Sequence, residues 1–180
     1  MLDQIHVRAH VLRYAHPDLA GQPWWVAPEF GVAVVLIFAT CIPLAKRLAP
    51  SNDRVPFIVD AASFVMVYTV TGVWHRHAWV VLAAMLVIWT GLLWAHQDRR
   101  TIIAISIGLA IAGPIYESLL TAIGAFHYTV TPLVLRVPAW LPILYLNAGV
   151  LAASAARAFA SPTGRQRVYT AAQVPSSPEA

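Results

Sequence analysis

Charged residues are scarce in this sequence. Only 11% of its 180 residues are Asp, Glu, Lys or Arg, whereas 59% are hydrophobic, and the mean hydropathy is +0.65. A soluble globular domain carries about 25% charged residues, so this chain has too few charges to cover a water-exposed surface. Lipid must be the solvent for most of it. Because only helices and closed barrels can span a bilayer, long apolar segments predict an all-α, polytopic membrane bundle.

Cysteine and lysine each occur once, as Cys41 and Lys46. One cysteine excludes an intramolecular disulfide, and the His and Cys residues lack the spacing of a zinc site. The other basic residues are all arginine, a bias typical of a GC-rich, bacterial genome. The net charge of +4 arises at segment ends, so it does not indicate a nucleic-acid partner. The sequence predicts no metal, no cofactor and no catalytic residue.

Five apolar segments reach or approach the roughly 20 residues that a membrane-spanning helix needs. They cover residues 27–45, 57–74, 79–95, 102–123 and 139–160. The loops between them are short, which predicts antiparallel neighbours. Residues 24–160 are therefore predicted to form one bundle of about five spans. Residues 1–23 are predicted to be a polar segment, either an interfacial helix or a disordered tail, and residues 161–180 a disordered tail.

Basic residues are unequally divided between the two sides of the predicted bundle. Four lie on the side of the N-terminus, namely Arg8, Arg13, Arg76 and Arg136, and the remaining eight lie on the other side. The positive-inside rule then predicts a cytoplasmic C-terminus, in a bacterial inner membrane or, in a eukaryote, the endoplasmic reticulum. Tryptophans at positions 24, 25, 79 and 140 fall at the outer segment ends and predict an interfacial aromatic belt.

The fourth segment carries the most informative polar residue. Ser106, Gly113 and Glu117 fall on one helical face, and Pro114 is expected to kink the helix one turn before Glu117. A carboxyl in hydrocarbon is costly unless it has a partner or lines a cavity. Two interpretations are open. Glu117 lines an intramembrane cavity, or it is protonated or hydrogen-bonded and has only a structural role.

Small residues form a second pattern on the same segment. Ala104, Gly108 and Ala112 recur every fourth residue, a spacing that lets another helix approach closely. We expect this ridge to pack tightly while the Glu117 face borders a cavity. The ridge also favours self-association into a homo-oligomer.

Asp60, in the second segment, is predicted to form a structural ion pair with Arg54 or Arg157. An acid–base group made of Glu117, Asp60 and His127 is a further possibility that spacing alone leaves open.

Four fragments, in order between residues 24 and 157, resemble the Insig (insulin-induced gene) protein family. They are Trp24-Trp25-Val26-Ala27-Pro28; Gly91-Leu92-Leu93-Trp94 followed by Asp98-Arg99-Arg100; Gly124-Ala125-Phe126-His127-Tyr128-Thr129; and Trp140-Leu141-Pro142 continuing through Gly149 to Arg157.

The resemblance implies a small bundle with a lipid-accessible central pocket. In animals, members of that family bind oxysterols in the endoplasmic reticulum, retain the sterol-sensing escort protein and promote degradation of the sterol-synthesis reductase. Bacterial relatives look like lipid-binding proteins with a diacylglycerol-type occupant. The chain departs from the family in lacking the span before the Trp-Trp entry, and Asp98, the implied partner-binding residue, is displaced by one position.

The sequence thus predicts an Insig-like membrane protein that binds an apolar, diacylglycerol- or sterol-like lipid between its helices. The predicted lipid-binding residues are Phe64, Tyr68, Trp89, Tyr116, Glu117, Tyr145 and Asn147. Two alternatives remain. One is a membrane cyclase, hydratase or isomerase acting on an isoprenoid or sterol-like lipid, with Glu117 or Asp60 as its acid. The other is a structural subunit that binds a partner membrane protein.

Overall fold

The computed structural model describes residues 2–48, 55–130 and 136–160, and five long helices dominate these residues. In chain order the elements are α1 (Asp3–Arg8), β1 (Leu12–Tyr14), α2 (Val26–Leu48), α3 (Phe57–Val73), α4 (Ala78–Ala95), α5 (Arg99–Ala122), β2 (Phe126–Tyr128) and α6 (Leu141–Ala160). Helices α2, α4, α5 and α6 are long and apolar enough to cross a membrane, and α3 is a shorter apolar helix. The predicted polytopic helical bundle is confirmed; the predicted tail, 161–180, lies outside the described residues.

Helix α6 forms the centre of the bundle. It packs against α2, α3, α4 and α5, and its contact with α5 is the most extensive in the protein. Its buried face carries small residues, including Ala153 and Ala156, which are both fully buried. Small side chains let several helices approach one axis, where dispersion contacts rather than hydrophobic burial hold membrane helices together.

The helices alternate in direction, as the short loops predicted. Asp60 at the start of α3 contacts His96 at the end of α4, and His96 contacts Arg157 near the end of α6. At the other end, Thr71 near the end of α3 meets His6 of α1. We call this second end, where α2, α4 and α6 begin, the tyrosine end, because Tyr14, Tyr68 and Tyr128 gather there.

The outer surface of the helices is apolar. Ile58, Val87 and Ile111 are 69%, 72% and 58% exposed on α3, α4 and α5. Such surface is unfavourable in water and is suited to acyl chains. Trp24 and Trp79 are exposed at the tyrosine end, as the predicted aromatic belt requires. Trp140 is not part of that belt: it is 1% exposed and lies in the core.

The N-terminal segment folds onto the bundle and does not lie flat on its surface. Asp3 and His6, one helical turn apart on α1, face inward and are 5% and 2% exposed. The following strand, β1, pairs antiparallel with β2, so that Arg13 lies opposite His127. This two-stranded ribbon was not predicted, because a three-residue strand is too short to show a period. No helix long enough to span a membrane precedes α2 within the described residues.

Two glycines allow α5 and α6 to make close contact. A Cβ atom at Gly149 would lie 2.3 Å from the Cα atom of Ser106, and one at Gly113 would lie 2.4 Å from the ring of Tyr145. The tightly packed face of α5 is therefore the face that bears Glu117. The Ala104–Gly108–Ala112 ridge does not pack within the chain, because all three residues are exposed, so a helix that approaches it closely would have to come from another molecule.

Replacing Gly149 with alanine should destabilise the protein. The new methyl group would meet backbone, which cannot move aside as a flexible side chain can, so we expect a loss of about 1–3 kcal/mol. Gly91 on α4 is the matched control, because a Cβ there meets nothing within 4 Å. Gly91→Ala should leave stability unchanged or raise it by up to about 1 kcal/mol. Thermal unfolding in one detergent measures both; equal melting temperatures would contradict the close packing.

Candidate functional site

A cavity of about 150 Å³ lies inside the tyrosine end of the bundle. Every described element at that end except α4 contributes to its wall. The lining residues are Asp3, His6, Leu12, Tyr14 and Trp25 from the N-terminal segment; Glu29, Phe30 and Ala33 from α2; Phe64 and Tyr68 from α3; Tyr116, Glu117 and Leu120 from α5; Phe126 and Tyr128 from β2; and Leu141, Leu144, Tyr145 and Ala148 from α6. The cavity is therefore assembled from residues distant in sequence.

Glu117 is held by two tyrosines at the cavity wall. The hydroxyl of Tyr145 donates to its Oε1 at 2.7 Å, and the hydroxyl of Tyr128 donates to its Oε2. Tyr145 reaches the carboxyl because its ring passes α5 at Gly113, where no side chain stands in the way. Gly124, with φ of 77°, ends α5 and turns the chain into β2, which brings Tyr128 back to Glu117.

Asp3 forms a second carboxyl–phenol cluster in the same cavity. Its Oδ2 accepts from the hydroxyl of Tyr14 at 2.8 Å and from the amide of Gln22, and its Oδ1 accepts from Tyr68 at 3.4 Å. Burial raises the pKa of Asp3 above its usual 3.8, and the hydrogen bonds from Tyr14, Gln22 and Tyr68 oppose that rise. Burial also raises the pKa of Tyr14, with Asp3 adding to the effect. Both groups thus favour uncharged forms.

The cavity approaches the surface between α2 and α5. Phe30 and Tyr116 line it while remaining 42% and 43% exposed. The side chains of Glu29 and Tyr116 interact at this point. The opening faces the apolar side of the bundle.

The electrostatic character of the cavity follows from its composition. Three carboxyls and five phenols line it, and no Lys or Arg does so within the described part of the chain. Phenols donate to the carboxyls, and unpaired oxygen lone pairs remain for a hydroxyl donor. Within the described lining, an anionic group would therefore find no Lys or Arg to balance its charge.

The opposite end of the bundle holds a buried charged cluster. Nε2 of His96 lies 3.0 Å from Oδ1 of Asp60, and both side chains are fully buried. Arg157 lies 3.3 Å from Nδ1 of His96, so Nδ1 accepts and Nε2–H donates to Asp60. Asp98 caps α5 by accepting from the backbone amide of Thr101 at 3.3 Å, and it also accepts from the Thr101 hydroxyl at 2.7 Å. Its Oδ2 lies 3.9 Å from Arg157. These contacts join the ends of four helices.

Comparison with solved structures decides the family. The chain is similar to the crystal structure of MvINS, a mycobacterial Insig homologue from Mycobacterium vanbaalenii, with a TM-score of 0.69 and 27% identity over 89% of this chain and 87% of that one. A second structure, a cross-linked trimer of an arginine-to-cysteine variant of MvINS, matches with a TM-score of 0.71, 26% identity and the same coverage. The chain is an Insig-like membrane protein. No protein-family model and no curated protein matches it.

Five of the seven predicted lipid-binding residues of the Insig-like chain line the cavity: Phe64, Tyr68, Tyr116, Glu117 and Tyr145. The other two do not. Trp89 packs near the opposite end and donates to Ser106 at 3.3 Å. Asn147 joins helices by donating to the carbonyls of Met85 and Ile143, which is the interhelical role that amides often take in membranes.

Asp98 and Asp60 make contacts within the chain. Asp98, the predicted partner-binding residue, is 8% exposed and is bonded to Thr101. Asp60 pairs with His96, which in turn contacts Arg157; Arg54 lies outside the described residues. His127 is exposed on β2, and Asp60 is at the opposite end from Glu117, so these three residues are not brought together.

Sequence reasoning missed Asp3, His6, Tyr14, Glu29 and Tyr128 as cavity residues. Four of them lie in or near the N-terminal region, whose course over the bundle depends on long-range contacts. One signal was available: five of the six tyrosines of the chain line the cavity, and a buried phenol needs a hydrogen-bond partner. Matching the tyrosines to Asp3, Glu29 and Glu117 would have identified the site.

Acidification should loosen the N-terminal segment. Burial, with a smaller contribution from nearby His75, lowers the pKa of His6 from 6.5 to about 3. The undocked segment therefore binds a proton below pH 6.5 and the docked segment does not, so docking weakens by about 1.4 kcal/mol per pH unit, or roughly 2 kcal/mol at pH 5. Asp3, with its raised pKa, acts in the opposite direction.

Hydrogen exchange of residues 2–25, corrected for the intrinsic pH effect, measures this docking. Protection should fall between about pH 7 and pH 5 in the native protein. In His6→Gln it should stay constant or rise, because Asp3 alone then titrates. The same fall in both forms would show that His6 is not the group responsible.

Proposed function

We propose that this protein binds one apolar lipid of diacylglycerol or sterol type, with the hydroxyl-bearing head in the tyrosine-end cavity. The observation that carries the proposal is the carboxyl of Glu117, which two phenols hold at the wall of a cavity within the bundle. Polar side chains within a membrane are found mainly where they bind a ligand, relay protons or pair with one another. Here they face a space that a ligand head can fill.

The size of the cavity limits what enters it. Sites for drug-sized ligands measure about 300–1,000 Å³, whereas this one measures about 150 Å³. A glycerol or hydroxyl head fits this volume, and the hydrocarbon chains then leave between α2 and α5, past Phe30 and Tyr116. Aromatic and aliphatic walls there stabilise the chains by about 25 cal/mol per Å² of apolar surface buried. Separation of the Glu29–Tyr116 pair would widen this route.

The charge of the cavity supports a neutral head over a phosphorylated one. Asp3, Glu29 and Glu117 supply three carboxyls, and Arg or Lys is missing from the described lining. A diacylglycerol or a sterol offers one hydroxyl, which can donate to a carboxyl and accept from a phenol. A phosphate would bring negative charge to a lining whose described residues offer no Arg or Lys to balance it.

Replacing Glu117 with glutamine should weaken lipid retention while preserving the fold. The amide is similar in size but replaces one carboxyl oxygen by a donor, which faces a phenol donor from Tyr128 or Tyr145. We expect the occupancy of the bound lipid to fall about tenfold, as the loss of one charge-assisted hydrogen bond predicts. Native mass spectrometry of protein extracted gently with its own lipids measures occupancy.

Trp89→Phe is the matched control, because Trp89 was predicted to line the site but lies outside the cavity. It should retain lipid like the native protein. Equal occupancy and identical lipid in native and Glu117→Gln protein would contradict the proposed role of Glu117. Conversion of the bound lipid into a product, lost in Glu117→Gln, would favour the enzyme alternative.

We infer that the protein associates with copies of itself through the Ala104–Gly108–Ala112 ridge. The ridge is exposed on α5, and a Cβ at Gly108 meets nothing within 4 Å. Small residues every four positions permit close helix contact in a membrane. MvINS has been crystallised as a cross-linked trimer, which supports association in this family.

Gly108→Leu should reduce self-association without loss of fold, since the added side chain points away from the chain's own atoms but would separate neighbouring copies. Gly91→Leu, at another open glycine on α4, serves as the control. Light scattering in detergent, corrected for bound detergent, gives the oligomeric mass. An oligomer that persists in Gly108→Leu, or is lost equally in both variants, would place the interface elsewhere.

We further propose an inner-membrane location with a cytoplasmic C-terminus, supported by the excess of basic residues on that side. Asp98 lies at the same end. Since its carboxylate caps α5 and is close to Arg157, it would influence a partner by fixing the α4–α5 connection.

A further inference from the structure

A second concave site at the tyrosine end differs from the first in charge. A cleft of about 750 Å³ lies between the N-terminal segment, the α3–α4 connection and the start of α6. Arg13, Arg76, His10 and His75 line it, together with Trp79 and Trp140, and no Asp or Glu is among its described lining residues. We propose that this cleft binds a phosphate group.

The basic side chains of the cleft are free to meet an anion. Arg13 and Arg76 are exposed, and the ion pairs found among residues 2–48, 55–130 and 136–160 involve neither of them. Two of the four arginines on this side of the bundle are thereby gathered in one cleft. A guanidinium binds phosphate through paired hydrogen bonds, so the two arginines that line this cleft supply the donors that a phosphate needs.

The start of helix α4 adds to the positive electrostatic potential of the cleft. Helix α4 begins at Ala78, which lines the cleft beside Trp79, and its N-terminus has no side-chain cap. The first amides of an uncapped helix and its dipole favour an anion. His75 donates from its Nδ1 to the carbonyl of Gly72 at 2.7 Å, which fixes its ring at the wall of the cleft.

The position of the cleft indicates where phosphate would come from. Trp79 lines the cleft and is 72% exposed at the beginning of a membrane-spanning helix, the depth at which tryptophan meets lipid head groups. On the cytoplasmic side of membrane proteins, basic pockets between spans bind anionic head groups, and the same pairing of charges applies to a cleft at the opposite interface. A phospholipid head and a free phosphate share the recognised group, and the experiment separates them.

The cleft is independent of the cavity. The side chain of Trp140, 1% exposed, separates the two, with its ring centroid 5.6 Å from that of His6 and 6.4 Å from that of Tyr128. Phosphate binding in the cleft therefore does not depend on lipid binding at Glu117. An experiment can disprove either proposal without disproving the other.

The test compares lipid binding by the full chain in an uncharged detergent. Native mass spectrometry is used with phosphatidylglycerol and, as a phosphate-free lipid, an uncharged galactolipid with the same acyl chains. The native protein should prefer phosphatidylglycerol. Arg13→Gln with Arg76→Gln should weaken its binding about tenfold, as expected from two lost charge-assisted contacts at an exposed site. Arg8→Gln, which removes one exposed charge at the same end but outside the cleft, should not change it.

In the second part of the test, glycerol phosphate and inorganic phosphate are added as soluble competitors of phosphatidylglycerol. Displacement of phosphatidylglycerol by either supports the phosphate site, and binding of the soluble anions as tight as that of the lipid would identify a free anion as the source. No preference for phosphatidylglycerol together with no effect of soluble phosphate would overturn the proposal, as would equal binding by the native protein and the double variant. Circular dichroism confirms that each variant is folded.

Discussion

The absence of water from the bilayer is the constraint on which this structure depends. Inside hydrocarbon, each polar side chain must be satisfied by the chain itself or by a ligand. The described residues meet that demand by collecting polar groups at the two ends. One end joins Asp60, His96, Arg157 and Asp98 in a charged cluster, and the other joins carboxyls to phenols around a cavity. Opposite charges meet at the first end, whereas at the second the carboxyls are bonded by phenols and no Arg or Lys is among the described residues that line the cavity.

Packing and site formation use the same contacts. Gly113 lets the ring of Tyr145 pass α5, and Gly149 lets α6 meet α5 at Ser106. The hydroxyl of Tyr145 then reaches Glu117. A larger residue at Gly113 would therefore separate two helices and remove a hydrogen-bond donor from the cavity. This coupling explains why the carboxyl and the small residues share one face of α5.

The sequence predicted what depends on local pattern. Hydropathy identified all five long helices, and helical spacing placed Gly113 and Glu117 on one face. Neither pattern could show which neighbouring helix or segment each helical face contacts. Trp89 and Trp140 were misplaced for that reason, since a tryptophan in an apolar segment suits a pocket, a membrane interface or a core equally well. Asp3 and His6 could not be placed at all, because their burial follows from docking of residues 2–25 against α3 and β2, which no local period encodes.

Charge divides the tyrosine end into two sites of opposite preference. The cavity presents Asp3, Glu29 and Glu117, and the neighbouring cleft presents Arg13 and Arg76. A phosphate held by the arginines would be repelled from the carboxyls, and a neutral head gains little from exposed guanidinium groups. Both heads reach this end of the bundle at a similar depth in the membrane, so hydrophobicity alone cannot separate them. Under the two proposals, a phospholipid would occupy the cleft without competing for the cavity, and its phosphate would neutralise the arginines beside the docked N-terminal segment.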